Sequence, residues 1–169
     1  MSNPEVWLRG PIWNFPAEVM PVAHSLLQIR EELDAIVPTL SPSNLWARPG
    51  GAASIGFHLR HIAGSLDRLL AYARGESLTD VQYAALSAEG DGTADGVTLL
   101  EGVHAAIDRA LAQLSGTPSR ILDEVRPVGR AALPSTVRGL LFHSAEHAQR
   151  HAGQIATTAK IVKALKLPV

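Results

Sequence analysis

Residues 143–154 have the sequence HSAEHAQRHAGQ, in which histidines stand at positions 143, 147 and 151. A residue four places along an α-helix lies about 40° round and about 6 Å up from its predecessor. His147 and His151 therefore present neighbouring imidazoles on one helix face, close enough for both to bind one metal ion. Over eight residues the rotation reaches about 80°, so a set of three ligands that includes His143 is strained.

A second pair of histidines lies in residues 57–63, FHLRHIA, which supply His58 and His61. A metal centre needs at least a third protein ligand, and each of these histidines is a candidate. The two side chains lie about 60° apart on a helix and both border the apolar stripe, so periodicity does not choose between them. Three neutral imidazoles with one open position suit divalent zinc, nickel, copper or iron.

Four long segments repeat apolar residues at three- and four-residue steps, the pattern of helices that bury one stripe. The second of these helices is predicted to begin at a Ser54 cap and to stop at Gly75, and the last to begin at Ser135 or Thr136. The four predicted helices cover residues 17–37, 54–74, 97–114 and 135–165, and a shorter helix is predicted over 79–88.

The remaining sequence is rich in proline and glycine and is predicted to be irregular. An N-terminal arm, residues 1–15, is expected to cover part of the body with its aromatic side chains. These features predict an all-α four-helix bundle with a short extra helix and an irregular arm, in a single domain over residues 1–169. The long connection between the second and third long helices allows a crossover. The other irregular segments are 38–51, 89–96 and 119–133. The last of these could instead hold a short extended pair, and Pro168 is expected to lie beyond the last helix.

Composition excludes several classes of function. The chain has no cysteine, so a disulfide, a thiolate zinc site and a cysteine nucleophile are all excluded. Fifteen basic residues against sixteen acidic ones give no basic surface for nucleic acid. Apolar runs are too short for a membrane span, and the N-terminus lacks a secretory pattern, so a cytoplasmic location is expected.

The two histidine segments together are the basis of a family resemblance. Residues 54–62, SIGFHLRHI, followed downstream by His147-x-x-x-His151-x-Gly153-Gln154, resemble the DinB-like superfamily of metal-dependent enzymes. The resemblance implies a four-helix bundle and a divalent metal, usually nickel or zinc, held by one histidine of the second helix and two of the last.

Carried over position by position, the resemblance implies that His61, His147 and His151 are the metal ligands. His58 and His143 then lie one turn outside this triad, as partners of the ligands, pocket residues or alternate ligands. Gly153 is expected to permit the close approach of another helix. The Gln154 side chain either hydrogen bonds near the site or is an ordinary exposed residue.

The resemblance implies a transferase that uses a low-molecular-weight thiol such as bacillithiol, mycothiol or glutathione. Because the nucleophile then arrives with the substrate, the absence of cysteine fits this chemistry. One alternative is a metal-dependent hydrolase, in which His58 or His143 is a better candidate for the base than Glu101 or Asp108. Another is a stress-related binding protein that retains the bundle without turnover.

Apolar positions occur around much of the first and last long helices. Since related bundles often pair, a homodimer is predicted. The expected partners are therefore a second copy of the chain and a small-molecule substrate, with no nucleic acid and no membrane.

Overall fold

A computed structural model describes residues 4–165 of the chain as a helical bundle with a small antiparallel sheet. The prediction of an all-α bundle is confirmed. The long helices are α1 (Met20–Ile36), α3 (Ile55–Arg74), α5 (Gly96–Ser115) and α6 (Val137–Ala164); the short ones are α2 (Pro42–Trp46) and α4 (Asp80–Ser87); and the strands are β1 (Val125–Val128) and β2 (Leu133–Thr136). Pro168, predicted to lie beyond the last helix, falls outside the described residues.

Polar side chains fix where the long helices α3 and α6 begin. The side-chain oxygen of Ser54 accepts a hydrogen bond from the Phe57 backbone N–H, at 3.2 Å, and so caps α3. Thr136 caps α6 in the same way, at 3.0 Å from the Gly139 nitrogen. Each bond satisfies a backbone donor that the first turn of a helix leaves unpaired. Helix α3 ends at Gly75, whose φ of +82° favours glycine.

The bundle core is built from contacts of α3 and α1 with the same two helices, α5 and α6. Consequently α1 lies diagonally from α3, and α5 diagonally from α6. The two connections that cross the bundle are therefore α1 to α3 and α5 to α6, whereas the sequence suggested the connection from α3 to α5. Within residues 4–165, no helix combines the length and apolarity that a bilayer span needs. Side chains that are fully buried between the helices include Leu26, Ile29, Leu33, Leu59, Ile62, Leu66, Ile107, Leu114 and Leu141.

The segment 38–51, predicted as a loop, contains the short helix α2. Pro42 occupies its first turn, where a missing N–H costs nothing, and Ser41 caps it. The ring of Trp46 packs directly over Gly56 of α3. Only glycine leaves room for this contact, since a Cβ atom at Gly56 would lie 2.6 Å from the ring. The helix is thus held by tertiary packing, which the local composition does not reveal.

The segment 119–133, predicted to be irregular, contributes β1 and the start of β2 to a hairpin. The register pairs Pro127 with Pro134 and Val125 with Thr136. Prolines are tolerated because each strand of a two-stranded ribbon has a free edge that needs no N–H donor. The hairpin ends at Thr136, which also caps α6, so the base of the hairpin is joined directly to that helix.

The N-terminal arm does not cover the body with its tryptophans. Trp13 is 93% exposed and Trp7 is 60% exposed, whereas Phe15 packs against the core. The arm is held instead by polar contacts, among them a 2.9 Å hydrogen bond from the Val6 backbone N–H to the side chain of Gln28 on α1.

Candidate metal centre

Three histidines from the neighbouring helices α3 and α6 converge on one point. Each offers one ring nitrogen, and these nitrogens from His61, His147 and His151 all lie within 4.8 Å of one another. The ring centroids are separated by 4.5 to 5.0 Å. Nitrogen ligands at about 2.0–2.1 Å from a tetrahedral ion lie about 3.3 Å apart, so a small movement of the rings would accommodate one ion.

The orientation of His61 is set by a buried carboxylate. The Nδ1 atom of His61 lies 2.7 Å from the Oε2 atom of Glu89, and its Nε2 atom lies 2.8 Å from the Nε2 atom of His147. Because an ionised carboxylate only accepts hydrogen bonds, the proton of a neutral His61 is on Nδ1. The Nε2 lone pair therefore points into the cluster, as a metal ligand requires.

Glu89 is in turn held by Arg68 of α3. The Arg68 Nη1 donates to the Glu89 Oε1 atom at 2.9 Å, and both side chains are buried. Burial acts to raise the pKa of the Glu89 carboxyl, but hydrogen bonds from His61 and Arg68 outweigh it and lower the pKa. Gly64 leaves room for this pair, since a Cβ atom there would lie 2.7 Å from both Arg68 Nη1 and Glu89 Oε1.

His58 lies outside the cluster and contacts His151 from the far side. Their Nδ1 atoms are 2.9 Å apart, and His58 is only 6% exposed. Burial lowers the pKa of His58, and the nearby His61 lowers it further, so His58 is neutral. With the shared proton on His151, the Nε2 atom of His151 is free to bind an ion.

His147 and His151 are neutral at physiological pH. Burial, followed by the charge of the neighbouring histidines, lowers the pKa of His147 to about 4. The same causes lower the pKa of His151 to about 4. Protons therefore compete only weakly with a metal ion for these nitrogens.

His143 lies one helical turn before His147 on α6 but is not part of the cluster. Its ring centroid lies 5.4 Å from that of His147, its side chain is 48% exposed, and its Nδ1 atom is 3.2 Å from the Oε2 atom of Glu146. It lines a cavity of about 700 Å³ together with His61 and His147. His143 is thus placed to contact a molecule in that cavity.

Two residues of this arrangement, Glu89 and Arg68, were not predicted as part of the site. Glu89 follows α4 in a segment that was predicted to be a polar connector, and it reaches His61 only because α4 packs on α3. A histidine ligand commonly needs a carboxylate partner, but this expectation gives the residue type and not its position.

Some other predicted contacts are absent. Gly153 is exposed, and no atom of the described residues lies within 4 Å of a Cβ atom added there, so the prediction of a close helix approach is wrong. Gln154 is exposed, but its side chain hydrogen bonds to His151, a contact that acts to raise the pKa of His151, so the prediction of a hydrogen bond near the site holds. Asp108 pairs with Arg30, and Glu101 is exposed, so neither is placed as a base.

Comparison of the sequence with known protein families gave a match. The family model described as the DinB superfamily matches residues 25–155, which contain all five histidines of the two segments and Glu89. A search of curated proteins gave no match.

Proposed function

We propose that this chain, which belongs to the DinB superfamily, binds one divalent metal ion through His61, His147 and His151 and is a metal-dependent enzyme. The observation that supports this most strongly is the hydrogen bond from the His61 Nδ1 atom to Glu89. It directs the His61 Nε2 lone pair towards the two histidines of α6. A histidine that only stabilised the core would not need its second nitrogen turned towards two further neutral imidazoles.

The donor set limits the choice of metal. Three imidazole nitrogens without a thiolate suit divalent zinc, nickel, copper or iron, and the family resemblance favours nickel or zinc among these. When bound, such an ion lowers the pKa of a thiol or water at its open position and supplies a nucleophile near neutral pH.

The reaction we propose is the transfer of a low-molecular-weight thiol to an electrophile. The S–H bond of the thiol breaks, a C–S bond forms, and the electrophile releases its leaving group, chloride in the case of monochlorobimane. The chain contains no cysteine, so the sulfur must come with the substrate. The cavity that His61 and His147 line has a volume of about 700 Å³, enough for a thiol and a second small molecule. His143 on its wall accepts the proton that the thiol releases, and Glu146, 3.2 Å from its Nδ1 atom, stabilises the resulting imidazolium.

Hydrolysis is the second candidate, and the same position of His143 favours it. An exposed imidazole next to a ligand and backed by a carboxylate can accept a proton from water as readily as from a thiol. The two reactions differ in whether a thiol is required.

Metal analysis of protein purified without a histidine tag tests the binding step. We expect close to one nickel or zinc ion per chain in the natural protein, and less than about a tenth of that in His61→Ala and His147→Ala. His143→Ala is the matched control on α6 and should retain most of the metal. Equal losses in all three variants would show that the ligand assignment is wrong.

Conjugation of monochlorobimane tests the reaction. We expect metal-dependent conjugation with one of glutathione, bacillithiol and mycothiol, and loss of that activity after chelation. Hydrolysis of an activated ester without any thiol, again lost on chelation, would favour the second candidate. No metal-dependent turnover in either assay would contradict an enzymatic role.

A further inference from the structure

The cavity beside the candidate metal centre has an uneven distribution of charge. Its walls come from α3, α4 and the loop between them, the hairpin turn and α6, and none of the described residues that line it is acidic. Its cationic side chains are Arg68 and Arg130, and its apolar wall consists of Leu69, Leu78 and Leu86.

The two arginines differ in how their charge is compensated. Arg68 is buried and forms an ion pair with Glu89 at 2.9 Å. Arg130 is exposed, and within residues 4–165 it forms no ion pair. Its guanidinium carbon lies 5.4 Å from the ring centroid of Tyr83, a cation–π contact that orients the group without neutralising it.

The hairpin turn holds Arg130 at this place. Gly129, with a φ of +68°, begins the turn, and the Gly129 carbonyl accepts a hydrogen bond from the Ala132 backbone N–H at 3.1 Å. Glu146, the one carboxylate residue of α6, accepts hydrogen bonds from the Nε and Nη2 atoms of Arg150. It is therefore not available to neutralise Arg130.

We infer that Arg130 binds an anionic group, such as a carboxylate, on the substrate. The apolar part of that substrate lies against Leu69, Leu78 and Leu86, and its reactive end lies at His61 and His147. The inference rests on the proposed function in one respect, that the bound anion belongs to a substrate. The anion site itself needs only Arg130 and the cavity. A guanidinium donates two parallel hydrogen bonds to a carboxylate, which makes it selective for that group.

The experiment compares 3-phenylpropionate with its neutral amide, 3-phenylpropionamide, in NMR titrations of the full chain. The two probes share their apolar part and differ in charge. We expect the natural protein to bind the acid about tenfold more tightly than the amide, the effect of one charge-assisted contact. Arg130→Gln should remove that preference and leave binding of the amide unchanged.

Arg120→Gln is the matched control, because Arg120 is exposed and loses the same charge away from the cavity. It should keep the tenfold preference. Each protein is titrated both with zinc and without metal, since a carboxylate also binds metal directly. Three results would overturn the inference: a preference seen only when zinc is present, a preference that survives in Arg130→Gln, or a preference lost equally in Arg120→Gln. Equal binding of the two probes to the natural protein, or no detectable binding of either, would also overturn it.

The same preparations separate this inference from the proposed function. If they take up no metal but keep the Arg130-dependent preference, the metal-dependent function fails and the anion site stands. If they bind metal and show no preference for the acid, the anion site fails and the metal-dependent function stands.

Discussion

The His61 Nδ1 atom and the Glu89 Oε2 atom are 2.7 Å apart, which joins a histidine of α3 to a carboxylate 28 residues further along the chain. Arg68 completes the set from α3 at 2.9 Å. A buried carboxylate with two cationic or proton-donating partners keeps its charge, and that charge fixes which nitrogen of His61 is protonated.

Replacing Glu89 by glutamine should weaken metal binding by about 10- to 100-fold, the usual effect of removing the partner of a histidine ligand. The amide keeps the shape of the side chain but loses the negative charge that selects the His61 tautomer. Competition with a fluorescent zinc chelator measures the affinity. Glu101→Gln, at an exposed position on α5, is the control and should bind metal like the natural protein. An unchanged affinity in Glu89→Gln would show that the carboxylate only stabilises the fold.

Replacing His58 by phenylalanine should lower metal affinity by about tenfold, less than the loss in His61→Ala. The ring still fills its buried position, but His151 loses the acceptor that lies 2.9 Å from its Nδ1 atom. The same competition measurement applies. A loss as large as that in His61→Ala would identify His58 as a ligand, the alternative that helix periodicity left open.

Much of the bundle could be predicted because its signals are local. The Ser54 cap, the Gly75 stop and the spacing of His147 and His151 depend only on neighbours within one or two turns of a helix. The pairing of α6 with α3 followed from the family resemblance and not from periodicity.

What could not be predicted depends on contacts between distant segments. Glu89 meets His61 through the packing of α4 on α3, and Arg130 reaches the cavity through a hairpin that contains Pro127 and Pro134. Both prolines argue against a strand on local grounds, and only the free edges of an isolated ribbon permit them.

The lowered pKa of His147 and His151 predicts how the metal-free protein responds to acid. Both groups have a pKa of about 4 when folded and about 6.5 when unfolded, so below pH 6.5 the unfolded chain binds more protons. Stability therefore falls as the pH drops. Between pH 7 and 5 we expect the free energy of unfolding to decrease by about 2 kcal/mol for the pair, allowing for screening by solvent.

Urea denaturation at pH 7, 6 and 5 with a chelator present measures this loss. Carboxylates contribute little in that range because their unfolded pKa is about 4. The double variant His147→Phe, His151→Phe should lose much of the dependence, and the buried His58, whose pKa is also lowered, should retain a part of it. A natural protein equally stable at pH 7 and 5 would contradict the lowered pKa values.

Two glycine-to-alanine substitutions test whether the space over α3 is needed for the Arg68–Glu89 pair. In Gly153→Ala the new methyl group meets no described atom within 4 Å, and α6 should gain about 0.5–1 kcal/mol from the better helix former. In Gly64→Ala the methyl group would lie 2.7 Å from both Arg68 Nη1 and Glu89 Oε1, so the ends of these side chains must move. In Gly64→Ala, Glu89 then shifts away from His61, and the metal affinity should fall severalfold. In Gly153→Ala the metal affinity should be unchanged. Thermal denaturation and the chelator competition together separate the two effects, and equal affinities in both variants would show that the pair can move without disturbing His61.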